Sequence, residues 1–387
     1  EREREMESSG SVLEPKAVFF CTPQLGDRKD WEGCFYLKAA AVYSTITGRQ
    51  PSGDAVPVAN KLLISIADKC ASANAQPSPL SAILKSPVPW DYRAQAEKAA
   101  VTSEISPVEE DLGNLSETTM EAIDAVYVVV GVLHDLKDKS GGSPNREKLD
   151  ALYASSRQQD AMVDVVKIGN QLPLSVLMDT IRNLPSALKK AMESVKKQVI
   201  TPSAAERSTL DSSIGSFKLG FGTDTFPGAV HLFCWYISPF YSTVAPAEGS
   251  NVLAGNDNLL GCLYSTLVNG SGAGGGAGRV MAQPVPTASR LARSGIRLGP
   301  AGDGKVRVQF SDRALRVPAM VFDQRLEAVV ATLLAWERSL KRGGERPLAR
   351  YVALMRELVE EVGDVRVLGG SGGLRGGGWE EEGEGVG

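Results

Sequence analysis

The chain has 387 residues, of which 43% are hydrophobic and 23% are charged, so it can bury a sizeable core. Its formal net charge of −4 argues against a general nucleic-acid-binding protein, because such proteins carry a strongly basic domain or face. Aromatic residues make up only 6%, too few to indicate a platform on which bases stack.

The cysteine pattern and the hydropathy of the sequence indicate the cellular compartment of the protein. The five cysteines lie far apart and none forms a Cys-x-x-Cys pair, so no zinc site is predicted. A dispersed, odd set is typical of free thiols in a reducing compartment. No segment reaches the run of about 18 apolar residues that a membrane span requires. We therefore expect a soluble, intracellular, cytoplasmic protein without cofactor, metal or integral membrane anchor in this chain.

Helical patterns dominate the first two-thirds of the chain. Residues 59–71 place small and apolar side chains at helical spacing, namely Ala59, Leu62, Leu63, Ile66, Ala67 and Cys70. Residues 118–136 begin with Thr118 and Glu121 in the spacing of a capping box, which predicts a helix. The valine-rich centre of this segment also suits a strand.

The stretch "KIGNQLP" interrupts the helical pattern with two side-chain amides and a proline. Gly169 and Asn170 tolerate the left-handed conformation that stops a helix, and Pro173 suits the first turn of the next one. We therefore predict a corner at which the amides of Asn170 and Gln171 satisfy free backbone groups. A ligand-binding role is the alternative. Pro185 is predicted to break the second helix.

Residues 186–199 form an amphipathic pattern with lysines opposite an apolar stripe (Leu188, Met192, Val195 and Val199; Lys189, Lys190, Lys196 and Lys197). This pattern indicates a solvated face over a packed stripe, or a helix that touches an anionic membrane. The glycine-rich segment 269–285 follows later. It lacks the Lys-Ser or Lys-Thr of a phosphate-binding loop, so we interpret it as a flexible linker or loop.

Beyond residue 285, the spacing of apolar residues changes from helical to the alternation of a strand, and then back to helical. Val306, Val308 and Phe310 alternate with polar residues, which predicts a strand that pairs with residues 314–322 as a β-hairpin. Two apolar helical stripes follow, separated by Gly343-Gly344 and Pro347. They predict an antiparallel helical hairpin with Val330, Leu333, Tyr351 and Met355 in its seam.

The predicted fold is mainly α: a multi-helix globular domain with a small β-hairpin and a C-terminal antiparallel helical hairpin. Residues 13–268 would form its helical N-terminal part and residues 286–368 its C-terminal part. We expect disorder in residues 1–12 and in the glycine- and glutamate-rich residues 369–387, which bury too little apolar surface to become ordered.

Several motifs resemble the plant domain of unknown function 247 family (DUF247, also uncharacterised protein family 0481). In the C-terminal part, the matching positions are Val317-Pro318, Leu334 to Glu337, Tyr351 with Met355, Asp364-Val365, and Pro286 to Leu298. Upstream, Asp164, Asn170, Gln171 and Pro173 match the family's Asp-Leu-Leu-Leu-Leu-Glu-Asn-Gln-Ile-Pro signature, with Gly169 in place of the glutamate. His231 falls within the family's His-Leu-Leu-Asp segment. Weaker similarity covers residues 13–34, and Asp124 with Tyr127.

The resemblance implies a plant-specific protein with no established enzymatic activity. Members commonly end in a membrane helix, so plasma-membrane association is the alternative location. Some grass members are linked to pollen–stigma self-recognition. We therefore expect a non-enzymatic protein-interaction or recognition module with an unknown protein partner. The family-motif positions are expected to be structural: Asp164, Asn170, Gln171, Pro173, His231, Pro318, Glu337, Tyr351, Met355 and Asp364.

Two alternatives remain open. The chain can be a degenerate family copy without retained function, or an enzyme that uses carboxylates such as Asp124, Asp164 and Glu337. Only two histidines are present, so a histidine base has few candidates. No nucleophile, phosphate-loop or dinucleotide motif occurs, and no catalytic residue is therefore predicted.

Overall fold

The computed structural model describes residues 12–20, 28–53, 55–73, 112, 115–142, 145–197, 203–220, 222–242, 252–268, 285–340 and 346–376. Helices dominate this part of the chain, with a few short strands, which confirms the mainly α prediction. The predicted linker lies almost entirely outside the described residues, as does the predicted N-terminal coil up to residue 11.

The α-helices are α1 (Arg28–Thr47), α2 (Ala55–Ala73), α3 (Glu117–Val126), α4 (Asp135–Ser140), α5 (Arg146–Leu152), α6 (Ser156–Asp164), α7 (Leu174–Lys197), α8 (Ala204–Gly220), α9 (Phe226–Ile237), α10 (Leu259–Val268), α11 (Ala288–Arg293), α12 (Leu326–Ser339), α13 (Pro347–Leu358) and α14 (Val362–Gly370). A π-helix spans Tyr127–His134, and a 3₁₀ turn spans Ile168–Asn170. The strands are β1 (Arg297–Ala301), β2 (Gln309–Ser311), β3 (Ala314–Pro318), β4 (Met320–Val321) and β5 (Leu374–Arg375).

The chain divides into two compact units. Unit 1 comprises Glu1–Phe233 with Glu248–Leu259, and unit 2 comprises Cys234–Ala247 with Leu260–Gly387. Within the described residues, no helix combines the length and the apolar character needed to cross a membrane.

Helix α2 forms the centre of unit 1, where it packs against α1, α3 and α7. All six residues of its predicted apolar face are buried. Because a fully buried leucine or isoleucine side chain contributes about 1.5–3 kcal/mol, this face alone stabilises the unit substantially.

Helix α3 begins two residues earlier than the capping-box spacing predicts. Ser116, in an extended conformation, is the N-cap, and its hydroxyl accepts a hydrogen bond from Thr119 N at 3.1 Å. Glu121 is therefore free of a capping role. The valine-rich centre that also suited a strand is helical and continues as the π-helix.

The corner predicted at "KIGNQLP" is present. Helix α6 ends at Asp164, the 3₁₀ turn follows, and α7 starts at Leu174 directly after Pro173. The predicted mechanism of the stop is wrong, however. Neither Gly169 nor Asn170 has a positive φ, so the chain turns without a left-handed residue.

Helix α7 passes through Pro185, contrary to the predicted break. A proline inside a helix costs about 3 kcal/mol because one hydrogen bond is lost and its ring crowds the preceding turn. The apolar stripe continues on both sides of it, with Ile181, Leu184, Leu188 and Met192 all buried. Burying several such side chains outweighs the cost, so the helix persists.

In unit 2, β2 and β3 form the predicted hairpin, with Phe310 opposite Leu315. The strands are shorter than predicted, because residues 305–308 are not in a strand and Met320–Val321 belong to a second sheet. Its two-residue turn, Asp312-Arg313, has φ values of 49° and 59°, as tight hairpin turns require. Strand β1 joins β3 in parallel and gives the order β1-β3-β2, which the sequence did not predict.

The predicted disordered tail is wrong for residues 369–376. Helix α14 extends to Gly370, and β5 then pairs in parallel with β4, so that Leu374 lies opposite Met320. Both of these side chains are buried, which anchors the segment. Residues from 377 onwards lie outside the described part of the chain.

Helices α12 and α13 form the predicted helical hairpin. Leu333 and Tyr351 are buried, whereas Val330 and Met355 are half-buried. Near the end of α12, the Glu337 carboxylate accepts hydrogen bonds from the first turn of α13. These bonds join the end of one helix of the hairpin to the start of the other.

We predict that Leu333→Ala lowers the free energy of unfolding of unit 2 by about 2–5 kcal/mol, because the side chain is fully buried and its removal leaves a cavity. Thermal or urea unfolding measures this loss. The neighbouring Leu334→Ala is the control, since Leu334 is only half-buried. Equal, small effects of the two substitutions would contradict the packing described above.

Candidate functional site

The matching residues of the "DVVKIGNQLP" signature surround the stretch 14–20, which we call the N-terminal segment. Asp164 is fully buried, and its Oδ2 accepts hydrogen bonds from the backbone N–H groups of Lys16 (2.9 Å), Ala17 (2.6 Å) and Val18 (3.0 Å). One carboxylate oxygen thus binds three consecutive N–H groups of a segment almost 150 positions away.

Lys167 neutralises this buried carboxylate. Its ammonium lies 2.9 Å from Asp164 Oδ1 and also donates a hydrogen bond to the carbonyl of Glu14. Lys167 is 1% exposed. Burial raises the pKa of Asp164, and the Lys167 ammonium and the N–H groups of Ala17 and Val18 act against that rise.

Asn170 binds the same segment with both ends of its amide. Its Oδ1 accepts from Phe20 N at 3.0 Å, and its Nδ2 donates to the carbonyls of Val18 (2.7 Å) and Asp164 (3.0 Å). The amide therefore satisfies backbone groups that have no partner in a helix or a sheet. These side-chain hydrogen bonds, and not a left-handed backbone conformation, explain why an asparagine occupies the corner.

Helix α1 satisfies the backbone of Phe19. The Cys34 sulfur accepts from Phe19 N at 3.2 Å, and the Lys38 ammonium donates to Phe19 O. Lys38 also forms an ion pair with Asp124 of α3, and both side chains are fully buried. The N-terminal segment is thus held by side chains from α1 and from the corner.

Aromatic contacts complete the packing around the segment. Phe20, 1% exposed, lies edge-to-face against Tyr127 with ring centroids 6.3 Å apart, and the Lys38 ammonium lies 5.6 Å from the Phe20 ring centroid. Such contacts contribute about 0.5–1.5 kcal/mol each beyond burial.

Gln171 and Pro173 stabilise the corner itself. The Gln171 amide donates to the carbonyls of Val165 (3.3 Å) and Lys167 (2.8 Å), both of which follow the end of α6. Pro173 forms a bridge with Asn258. The predicted satisfaction of free backbone groups by Asn170 and Gln171 is therefore present. His231 lies half-buried on α9.

In unit 2, Glu337 is a buried carboxylate that binds backbone N–H groups, as Asp164 does in unit 1. It is 2% exposed and accepts hydrogen bonds from Leu348 N (3.0 Å), Ala349 N (2.9 Å) and the Tyr264 hydroxyl (2.8 Å). A carboxylate at the start of α13 satisfies N–H groups that have no helical partner and interacts favourably with the helix dipole.

Asp364 joins α14 to α11 in the same way. Its carboxylate accepts hydrogen bonds from the N–H groups of Ser289 (2.8 Å), Glu361 (3.0 Å) and Glu360 (3.1 Å). Burial raises its pKa, but the hydrogen bonds outweigh this effect and hold the pKa well below the usual range.

The remaining family positions in unit 2 lie around Tyr351. Its hydroxyl donates to the carbonyl of Pro318 at 3.0 Å, and its ring packs edge-to-face on Phe240 with centroids 5.3 Å apart. Met355 is half-buried one turn further along α13. Three carboxylates and two amides of the family motifs therefore bind backbone groups, namely those of Asp164, Glu337, Asp364, Asn170 and Gln171.

The family assignment follows from a comparison with known proteins. A family model described as a plant protein of unknown function, DUF247, matches residues 109–377. The chain belongs to the DUF247 family. No curated protein and no solved structure matches the chain. The match begins at residue 109, so the similarity of residues 13–34 to the DUF247 opening stays a prediction.

Several residues of the site were missed at the sequence level. Lys38, Cys34 and Lys167 all bind the N-terminal segment or its anchor. Lys38 had a usable signal, because it is a lone charge within the apolar run "CFYLKAAAVY". Within the described residues, no group of three or more histidine, cysteine or acidic side chains is placed to hold a metal ion.

We predict that Asp164→Asn lowers the free energy of unfolding by about 3–5 kcal/mol, because it leaves the buried Lys167 ammonium without its counter-charge. Adding Lys167→Met should restore part of the loss by removing that charge. Urea unfolding of both variants measures this. Asp179→Asn is the control, since the exposed Asp179–Arg182 pair contributes less than about 1 kcal/mol. Equal effects at positions 164 and 179 would refute the anchoring role.

Glu121 generates a prediction about pH. Burial, and secondarily the Asp124 charge, raises the pKa of Glu121 from 4.5 to about 7, and its Oε1 is buried without a hydrogen-bond partner. The folded protein therefore binds more protons than the unfolded chain between these values, so stability falls as pH rises through this window.

Glu121→Gln should remove this dependence. We expect the variant to gain stability relative to the native chain as the pH rises from about 5 to 8, by on the order of 1 kcal/mol given the partial exposure of Glu121. Urea midpoints across this range test it. Parallel pH profiles of the two proteins would contradict the assigned environment.

Proposed function

We propose that this DUF247 protein is a non-enzymatic protein-interaction module. Its partner is a protein that presents an extended segment with acidic and apolar side chains. The segment adds to the free edge of strand β2 in unit 2. The observation that carries this proposal is an apolar row across the three-stranded sheet that stays accessible at this edge.

The row consists of Leu298, Leu315 and Phe310, which lie opposite one another on β1, β3 and β2. Phe310 is 64% exposed, and Leu298 and Leu315 are half-buried. Val308, two positions before Phe310, is 37% exposed. An aromatic side chain this accessible in a strand suits a contact with another protein, where aromatic residues supply much of the binding energy.

Strand β2 is an edge strand. Its three residues pair with β3 on one side, and within the described residues no strand pairs with its other side. An edge strand offers free N–H and C=O groups to an incoming segment, and several recognition domains bind extended peptides in this way.

Charge indicates the kind of segment. Residues 285–340 and 346–376 of unit 2 contain fourteen arginines and lysines but only nine acidic residues, although the whole chain has a net charge of −4. Exposed arginines flank the row, among them Arg307, Arg313 and Arg316. An open groove of about 930 Å³ in the same unit is lined by three arginines and two glutamates, namely Arg290, Arg293, Arg356, Glu357 and Glu360. An acidic partner segment complements this surface.

The carboxylates considered for catalysis support a non-enzymatic role. Asp124 is paired with Lys38, Asp164 binds three backbone N–H groups, and Glu337 caps α13. A general acid or base must exchange a proton with substrate, and each of these groups is buried and engaged in structural contacts.

An intracellular, reducing location is part of the same proposal. The described cysteines Cys34, Cys70, Cys234 and Cys262 are all buried free thiols. Free thiols of this kind are typical of proteins in reducing compartments.

The test compares two equally exposed apolar residues of unit 2. Phe310 and Val362 are both 64% exposed, so Phe310→Ser and Val362→Ser remove similar exposed groups at different sites. Tagged native chain and both variants are used for co-purification from plant tissue, and the affinity of the identified partner is then measured directly. We expect Phe310→Ser to weaken binding about 30-fold, the effect of a 2 kcal/mol hot spot.

The Val362→Ser variant should bind like the native chain, and added salt should weaken the complex because charges contribute. A partner that binds both variants equally well would overturn the assigned surface. Turnover of a metabolite by the purified chain would overturn the non-enzymatic role.

A further inference from the structure

A cavity of about 210 Å³ lies in unit 1 between α1, the π-helix and α6. Its apolar wall includes Leu37, Ala41, Val132 and Met162. Polar side chains surround the rest, among them Ser44, Gln50 and Gln158. An apolar cavity of about 150 Å³ accepts benzene in another protein, so this volume suffices for a single substituted ring.

The π-helix shapes one wall of the cavity. Tyr127 and Gly131 of the π-helix border the cavity, as does Asp135 at the start of α4. A β-carbon at Gly131 would lie 3.1 Å from Ala41 Cβ and 3.0 Å from the Tyr127 ring, so the glycine permits a close approach to α1. π-Helical turns inside α-helices are frequently found at functional sites.

Tyr127 supplies a polar group at this wall. The residue is only 4% exposed, and its hydroxyl forms no hydrogen bond within the described residues. Burial, followed by the charge of Asp164, raises its pKa, so the hydroxyl stays protonated. A tyrosine hydroxyl at the wall of a cavity can exchange a hydrogen bond with a polar atom of a ligand.

The mouth of the cavity carries a net positive charge. Asp135 is paired with Lys139 at 3.0 Å and accepts a hydrogen bond from the Tyr153 hydroxyl at 2.8 Å. Arg157 borders the same cavity, is exposed, and has no ion-pair partner among the described residues. One cation is thus left for a ligand.

We propose that this cavity binds a small aromatic hydroxy acid, with its ring against the apolar wall, its hydroxyl on Tyr127 and its carboxylate at Arg157. The rings of Tyr127 and Tyr153 and the thioether of Met162 favour an aromatic ring over an aliphatic chain. The site is independent of the proposed partner surface, since all its residues belong to unit 1.

The test uses three probes with the full chain: 4-hydroxybenzoate, benzoate without the hydroxyl, and 4-hydroxybenzyl alcohol without the charge. Calorimetry or ligand-observed NMR measures their affinities for the native chain, Tyr127→Phe, Arg157→Gln and Arg182→Gln. The last substitution is the control, because Arg182 is an exposed arginine on α7 outside the cavity. Circular dichroism melts establish that each variant is folded.

We expect 4-hydroxybenzoate to bind most tightly. Tyr127→Phe should weaken it about five- to tenfold and leave benzoate unchanged, because one hydrogen bond is lost. Arg157→Gln should weaken both acids about two- to fivefold and leave the alcohol unchanged, as an exposed charge pair predicts. Arg182→Gln should bind like the native chain.

Two outcomes would overturn the proposal. One is the absence of saturable binding of all three probes at millimolar concentration to the native chain. The other is binding that Tyr127→Phe and Arg157→Gln leave unchanged, which would place the ligand elsewhere. Tyr127→Phe keeps the ring that packs on Phe20, so the variant is expected to fold and the test stays decisive.

Discussion

The architecture of unit 1 depends on the hydrogen bonds between Asp164 and three consecutive N–H groups of the N-terminal segment. The N-terminal segment, residues 14–20, is neither helix nor strand, so its backbone groups need other partners. Asp164 and Asn170 supply them from the corner, and Lys38 supplies one from α1. Val18 and Phe20 can therefore be buried without leaving their backbone groups unsatisfied.

Burying two lysines makes this arrangement costly and selective. Lys38 and Lys167 each pair with an aspartate and a backbone carbonyl of the N-terminal segment. Desolvating such charges offsets most of the attraction between them, so the pairs add little net stability. They do penalise any other position of the segment strongly, since a shift would leave buried charges unpaired. Their contribution is thus to fix one arrangement of the segment.

Much of the fold followed from local sequence patterns. Apolar periodicity predicted α2 and the hairpin of α12 and α13, because this pattern reports which face is buried. Alternation predicted the pairing of β2 with β3, although the alternating residues Val308 and Phe310 are exposed. Strand β1, "RLGPA", has no such alternation; it pairs with β3 and also contacts α11 and α14. The π-helix has no local signal either. Local sequence patterns do not reveal that Lys38 pairs with Asp124 or that Asp164 binds residue 17, because these contacts join segments far apart in the sequence.

The distance along the chain between the N-terminal segment and its anchor has a consequence for synthesis. Residue 17 leaves the ribosome 147 residues before Asp164 does. At about 5–20 residues per second, the segment waits roughly 7–30 seconds for its binding partner. During that interval its apolar side chains are available to chaperones, and the core of unit 1 can close only after the corner has emerged. Folding of this unit during translation is therefore limited by elongation rather than by the search for helices.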